Sequence, residues 1–532
     1  MAGAAPGRAM RLVTAAEMRA LEQRAFAAGV AEEALMARAG AGVGRALAAW
    51  LGWTARGDGR RLLVLAGRGN NGGDAIIAAR TLAEDVGAPV CVYLLGARED
   101  DPLLAWTGAA GVPVATHGAA GSAALLRRWL SEAAVVLDGI LGIGGRLPLR
   151  GPIAEALAVC REVRPAGQRR VAVDVPTGVQ ADTGQADGVA FRADLTLATG
   201  PAKVGLFIHP GAEHAGRVQS VDIGVVPADA PSVLWRQEPP EVARSLPARP
   251  DDSNKGTYGK VLVVAGCERY IGAAGLAARA AVCAGAGLVT LAVPEAVRRA
   301  LAGSSLETTY LTLPPDPEAP GALGAQQAAA ILDAAAGYDA LAIGPGIGDH
   351  PATRRLVLDL VAGLAGDGHA PPAVIDADAL NALSAAGDWP HPEGLRWVLT
   401  PHPGEMGRLL GKGVPEVQAD RLATARGAAA GWGQAVVLKG APSIIAGPDG
   451  RACLSVFANA ALASAGSGDV LSGTVAALLA QGLDPFAAAA TGAYLHGLAG
   501  ERWRALNGDA GLGAARLAGC LPGAARALRA LA

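Results

Sequence analysis

The sequence predicts an α/β protein built on two mostly parallel sheets. Three observations carry this. Runs rich in Val, Leu and Ile recur along the chain, separated by longer stretches of helical period, as βα units require. Gly-rich turns stand directly after several of those runs, where a parallel sheet gathers its strand ends. One Pro- and charge-rich stretch interrupts the pattern, so two domains are expected, at 1–225 and 251–532, with a linker over 226–250.

Two helices are expected first, at about 14–28 and 31–51. Thr14 and Glu17 have the spacing of a capping box for the first of them. Strands follow at 61–67, 90–96, 133–139, 169–175, 193–199 and 217–223. After the interruption, apolar runs predict strands at 259–266, 288–294, 340–346, 372–378, 396–402 and 435–440. The chain closes on helices over about 467–481, 484–504 and 512–530.

Apolar residues make up 51% of the 532 and aromatic residues only 4%, so the cores must be built from Ala, Val and Leu. Lys plus Arg number 46 against 48 Asp plus Glu, a balance that argues against a nucleic-acid or membrane-surface binder. The six cysteines are scattered without a CxxC, which fits reduced thiols in a cytoplasm better than a zinc or redox motif. No apolar run reaches the ~18 residues of a membrane span, and the first residues lack a signal-peptide core.

The most informative stretch is NAALASAGSGDVLSG, 459–473. Glycines just before a helix leave backbone N–H groups free, and the helix dipole draws an anion to them. Asp469 adds a carboxylate at the same spot, able to take a proton from a hydroxyl as a phosphoryl group moves. Taken alone, a GSGD turn also reads as an ordinary capped turn.

In the first half, GRGNNGGDAIIAAR (67–80) joins a strand to a helix and departs from the GxGxxG dinucleotide fingerprint. DGILGIGGRLP (138–148) and DVPTGVQADTG (174–184) sit at further strand ends. Asn71, Asp138 and Thr177 then converge as oxygen donors, a set that favours an alkali, Mg²⁺ or Ca²⁺ ion over a transition metal. Taken singly, Asp138 and Asp174 each read first as turn or helix caps; three polar Gly-containing loops on successive strand ends favour a site. The second half adds GPGIG (344–348), DADALNAL (376–383), PHPGEM (401–406) and LKGAPSII (438–445). Asp376 or Asp378 could cap the helix that DADALNAL begins, and His402 could cap or pack the next.

These motifs carry two resemblances. NNGGDA, DGILGIGGR, DVPTG and GPAKVGL, within about 10–225, resemble the NAD(P)H-hydrate epimerase domain, a Rossmann-like three-layer sandwich. The resemblance implies that Asn71, Asp138 and Thr177 hold K⁺. It implies a hydrated-nucleotide site formed by Asn70, Asn71, Gly72, Gly73, Asp74, Gly142, Ile143, Gly144, Gly145, Arg146, Leu147, Pro148 and Asp174. Asp174 and Lys203 are implied as its catalytic pair. Ala75 stands where the family has Gly.

From about 250 to 530, the ordered series GPGIG, DADALN, TPHPGE, LKGAPS and N-x₆-GSGD resembles the ADP- or ATP-dependent NAD(P)H-hydrate dehydratase, a ribokinase-like α/β domain. By resemblance, Lys439, Gly440, Ala441, Pro442, Ser443 and Gly468 bind the nucleotide, with Mg²⁺. Ala273, Gly348, His402 and Asp469 meet the hydrated coenzyme, with Asp469 catalytic. The family's Asn-Pro-Gly-Met run is NAAL here, at 459–462. The expected function is repair of hydrated NADH or NADPH at the expense of ADP or ATP, by a cytoplasmic homo-oligomer. The alternative is a ribokinase-like kinase of a vitamin precursor or sugar fused to a non-catalytic binding domain.

Overall fold

A computed structural model describes residues 9–54, 59–98, 101–226, 232–387, 389 and 395–531. The chain divides into two compact units, Met10–Ser232 and Val233–Ala532.

In the first unit the strands are β1 (Met10–Val13), β2 (Leu62–Ala66), β3 (Val90–Leu94), β4 (Val114–Thr116), β5 (Val135–Gly139), β6 (Arg169–Val173), β7 (Leu195–Thr199), β8 (Ala202–Lys203) and β9 (Arg217–Val221). Seven of them form a parallel sheet in the order β4-β3-β2-β5-β6-β7-β9, while β1 pairs with β8. Every residue of β2 is buried, as expected where helices cover both faces of a parallel sheet. Leu62, Val64 and Ala66 pack on one face with the helices Glu32–Leu51 and Asn70–Val86. Leu63 and Leu65 pack on the other with Trp129, Leu130 and Leu157. The chain leaves β2 toward β3 and β4, then returns to β5 on the opposite side. That reversal opens a crevice at the strand ends between β2 and β5. Thr14 and Glu17 do form the capping box of the helix Ala15–Ala27.

The second unit contains β10 (Leu234–Arg236), β11 (Lys260–Val264), β12 (Leu288–Pro294), β13 (Thr309–Leu313), β14 (Ala340–Ile343), β15 (Ala373–Ile375), β16 (Trp397–Leu399), β17 (Ala435–Leu438), β18 (Ile444–Ala446) and β19 (Ala452–Leu454). Strands β13-β12-β11-β14-β15-β16-β17 are parallel; β18 and β19 continue antiparallel, and β10 lies parallel to β19. The topological reversal here falls between β11 and β14. The helix Ser467–Ala480 packs against the helix Ile271–Cys283 at very close range. A Cβ on Gly473 would sit 2.0 Å from the carbonyl oxygen of Ala277, so only glycine lets the two helices approach this far.

The stretch 226–250 differs from the linker expectation. Its residues 234–236 form β10, and Pro239–Ser245 is a helix with Val242 and Ala243 in the second unit's core. Two of the prolines that suggested a linker, Pro239 and Pro240, stand in the first turn of that helix, where they are tolerated. Among the described residues, no helix is long and apolar enough to cross a membrane.

Candidate functional sites

In the first unit, the loops after β2 and β5 border a cavity of about 730 Å³. Asn70, Asn71, Asp74, Gly142, Ile143, Gly144, Gly145, Asp174, Thr199 and Lys203 line it, joined by Arg19 and Glu22 from the first helix. Arg146, Leu147 and Pro148, expected at the site, are not part of this lining, and Gly72 and Gly73 are buried in the helix that starts at Asn70.

Lys203 is fully buried on the two-residue strand β8. Its ammonium donates to the carboxylate of Asp174, and to the Thr199 carbonyl at 2.8 Å. The Thr199 hydroxyl also donates to Asp174 Oδ1, at 2.9 Å. Asp174 holds φ at +65°, a left-handed conformation uncommon outside glycine, so this side chain is aimed by a constrained turn. Asp74 is nine-tenths buried, and its carboxylate has no hydrogen bond among the described residues. Burial, and next the charge of Asp174, push its carboxyl well above the usual range, with Lys203 opposing. Burial likewise raises Glu22.

Asp138 and Thr177 lie just behind this wall. The carboxylate of Asp138 is completely buried and accepts from Thr177 N–H (2.7 Å), Thr177 Oγ1 (2.7 Å) and Ile140 N–H (3.1 Å). Burial raises it to about 6 against these three donors. Asn71 donates from Nδ2 to Leu141 O at 3.0 Å. Its Oδ1 lies 3.4 Å from the position a Cβ would take on Gly142, and Asp174 Oδ2 lies 3.2 Å from that same point. The structure thus gathers Asn71, Asp138, Thr177 and Asp174 about the start of the 138–148 loop. An anionic carboxylate and neutral oxygens, without His or Cys, make a donor set suited to an alkali cation.

In the second unit, the helix Ser467–Ala480 opens at Gly466, which has φ +86°, and carries Asp469 in its first turn. Asp469 is partly exposed and forms no ion pair among the described residues. Burial, then the charge of Asp376, raise its carboxyl to about 7, while Lys439 opposes. The ammonium of Lys439 lies 2.9 Å from Asp376 Oδ1 and 3.6 Å from Glu405 Oε2. A Cβ on Gly468 would lie 3.6 Å from that ammonium and 3.9 Å from Asp376 Oδ2. The Ser472 hydroxyl donates to the other carboxylate oxygen of Asp376. Burial disfavours charge on both Asp376 and Lys439, yet their mutual attraction prevails, holding Asp376 below and Lys439 above its usual range. The result is an ordered cation directly beside the start of the helix Ser467–Ala480.

Neither Asp376 nor Asp378 caps the helix Asp378–Ala386, whose N-cap is Ala377. Asp376 is turned instead to Lys439 and Ser472, and Asp378 accepts from Gly348 N–H at 2.9 Å. His402 is a cap: its Nδ1 accepts from Gly404 N–H at 3.0 Å and Glu405 N–H at 3.3 Å. Half of its side chain remains exposed, and Nε2 stands 3.3 Å from Glu405 Oε1. Glu405 thereby connects His402 to Lys439. Ala273 packs 2.7 Å from the Cβ position of Gly346, and Cys267 Sγ lies 3.4 Å from that of Gly348, so these expected positions lie at the β11–β14 reversal. Gly440 and Ser443 are hydrogen-bonded to each other across the turn between β17 and β18. The NAAL run forms one short turn capped by Asn459, whose Oδ1 accepts from Ala461 N–H at 2.9 Å. The motifs did not single out Ser472, and marked Asp376 only as a possible helix cap, not as a partner at this site. The one sequence signal of Ser472 is that it follows Gly468 by four residues, on the same helix face.

A family profile described as NAD(P)H-hydrate dehydratase matches residues 261–522, and one described as YjeF-related protein N-terminus matches 32–205. Among curated proteins, the bifunctional NAD(P)H-hydrate repair enzyme of Moorella thermoacetica is 40% identical over 476 residues, covering 87% of each chain. The protein of the same name from Thermofilum pendens is 37% identical over 98% of this chain and 97% of its own. Among solved structures, an ADP/ATP-dependent NAD(P)H-hydrate dehydratase from Bacillus subtilis, crystallised with ATP and Mg²⁺, is 31% identical. It covers 57% of this chain and 100% of its own, with a TM-score of 0.47.

Proposed function

The chain belongs to the family of bifunctional NAD(P)H-hydrate repair enzymes, and on that premise we propose how its two units divide the chemistry. The second unit removes water from the S form of hydrated NADH or NADPH, driven by ADP or ATP. Asp469 takes the proton of the C6 hydroxyl as that oxygen attacks the terminal phosphoryl group. The helix-start amides at Gly466–Asp469 and the ammonium of Lys439 stabilise the transferring charge. Phosphate is a far better leaving group than hydroxide. Its departure with the C5 proton restores the ring double bond.

The observation that carries this reading is the state of Asp469. A base serves best when its pKa lies near the working pH, and a carboxylate raised to about 7 beside an anion-binding helix start meets that condition. Lys439 to Ser443 and Gly468 are read as nucleotide-binding, and Ala273, Gly348 and His402 as facing the hydrated coenzyme. Among the described residues, no three His, Cys, Asp or Glu side chains come together to hold a metal ion. Mg²⁺ would therefore enter on the nucleotide phosphates, as it commonly does.

The first unit interconverts the R and S hydrates so that both are consumed. Its cavity offers Asn70, Asn71, Asp74, the 142–145 loop and the Asp174–Lys203 pair as binding and proton-handling groups. K⁺ would be held by Asn71, Asp138 and Thr177, where a buried carboxylate lacks a cationic partner among the described residues. All six cysteines are free, in keeping with a reducing cytoplasm; a homo-oligomer is proposed by family analogy.

The test supplies purified S-hydrate with ADP, then with ATP, and follows the absorbance of reduced nicotinamide. Recovery with either nucleotide supports the reading. Recovery with neither removes the dehydratase assignment.

A further inference from the structure

Arg421 opens the helix Arg421–Trp432 and is only 5% exposed. It faces no carboxylate among the described residues. Burial alone lowers its guanidinium to about 10, so the charge is uncompensated. Its Nη2 donates to two successive backbone carbonyls, Leu438 O at 3.3 Å and Lys439 O at 3.2 Å. Its Nε is buried without any hydrogen-bond partner. Such a group is expensive to keep, and an apolar side chain of the same length would fill the space at lower cost.

What the guanidinium does locally is specific. Lys439 donates its own N–H to Pro401 O at 2.9 Å, so with Arg421 on its carbonyl the residue is held at both backbone ends. Gly440 follows at φ +151°, and a Cβ there would lie 2.4 Å from Nη2 of Arg421. A side chain at position 440 would therefore collide with the guanidinium, and glycine lets the arginine come this close. Downstream of this clamp lie the 440–443 turn and, through the side chain of residue 439, the Asp376 and Glu405 contacts.

We propose that Arg421 is a positioning residue for the nucleoside di- or triphosphate, clamping the Lys439–Gly440 turn so that its ammonium and amides meet the phosphates in register. This rests on the reading of Lys439–Ser443 as the nucleotide site. Two neighbouring carbonyls accept from one nitrogen, Nη2, at the far end of the guanidinium. A lysine has the charge, but its ammonium stops one bond short of the Nη2 position and cannot reach both carbonyls in the same way.

The experiment measures dehydration of S-hydrate by the full chain, with the KM for nucleotide and the KM for hydrate determined separately, for Arg421→Met and Arg421→Lys. Epimerisation by the first unit and thermal unfolding serve as folding controls. The expected result is a rise in nucleotide KM on the order of tenfold or more in both variants, with hydrate KM unchanged, as a misplaced binding turn produces. A nucleotide KM equal to wild type in Arg421→Met overturns the proposal. Equal rises in both KM values overturn it too, since loosened structure alone would do that. Full recovery in Arg421→Lys would reduce the role to charge and also overturn it, as would failure of both variants to fold. Failure of the wild-type chain to show any saturable nucleotide dependence would instead remove the reading of the site itself.

Discussion

The ammonium of Lys439 and the carboxylate of Asp376 stand 2.9 Å apart in the second unit, and the ammonium is 3.6 Å from where a Cβ on Gly468 would lie. A cation is thus fixed at the start of the helix Ser467–Ala480 by a carboxylate that is itself completely buried. Replacing Asp376 with Asn leaves Lys439 held by Glu405 alone. The expected cost is roughly 3 kcal/mol, as for other broken buried pairs, read by urea or thermal unfolding. Loss of this negative charge, together with a less neutralised Lys439, also lowers the pKa of Asp469. Any residual dehydration should therefore show its pH midpoint displaced below about 7.

Asp469→Asn should lower dehydration by about 10²–10⁴-fold, the usual worth of a positioned base, while epimerisation continues unchanged. It should also stabilise the fold. The carboxyl of Asp469 is raised in the folded state, so its contribution to stability is full in acid and is lost as pH rises through about 7. At pH values above that, the amide relieves a penalty on the order of a few kcal/mol. Melting temperatures compared on both sides of neutrality check this, and a variant less stable than wild type at alkaline pH would contradict it.

Gly468→Ala tests the anion site without disturbing the fold. The added methyl would meet only ordinary contacts, at 3.6 and 3.9 Å, so unfolding should be unchanged. It would occupy the space beside Lys439 that a phosphate needs, so the nucleotide KM should rise. Equal KM values in the two proteins would separate this glycine from the phosphates.

In the first unit, Lys203→Met leaves Asp174 buried without its cation. Loss of about 3–5 kcal/mol is expected, together with loss of epimerisation and normal dehydration per folded molecule. Asp138→Asn should abolish any dependence of epimerisation on K⁺. In the wild type that dependence should fade as pH falls through about 6, where the Asp138 carboxyl takes up its proton. Titration of activity with K⁺ at several pH values reads this directly.

Much of this architecture was legible from the chain. Five- to seven-residue apolar runs such as 61–67 and 288–294 became strands because a sheet covered on both faces demands continuous burial. The Gly-rich motifs do stand at strand ends, and Asn71, Asp138, Thr177 and Asp174 do gather. The strands β1, β4, β8, β10, β18 and β19 escaped because two to four residues are too few to show a period, and β13 because this edge strand buries only its last residue and so lacks a continuous apolar run. The segment 234–245 was misread because Pro239 and Pro240 also suit a helix start. Asp376 meets Ser472 and Lys439 across 96 and 63 residues, and Arg421 meets Lys439 across 18; such pairings exist only once the sheet is assembled.

The most direct test of the account is the rate of dehydration of S-hydrate with saturating nucleotide, followed through the reduced-nicotinamide absorbance from about pH 5 to 9. The account predicts a rise with a midpoint near 7 that vanishes in Asp469→Asn, along with nearly all of the rate. A profile flat through neutrality, or an Asp469→Asn protein that dehydrates as fast as wild type, would contradict it.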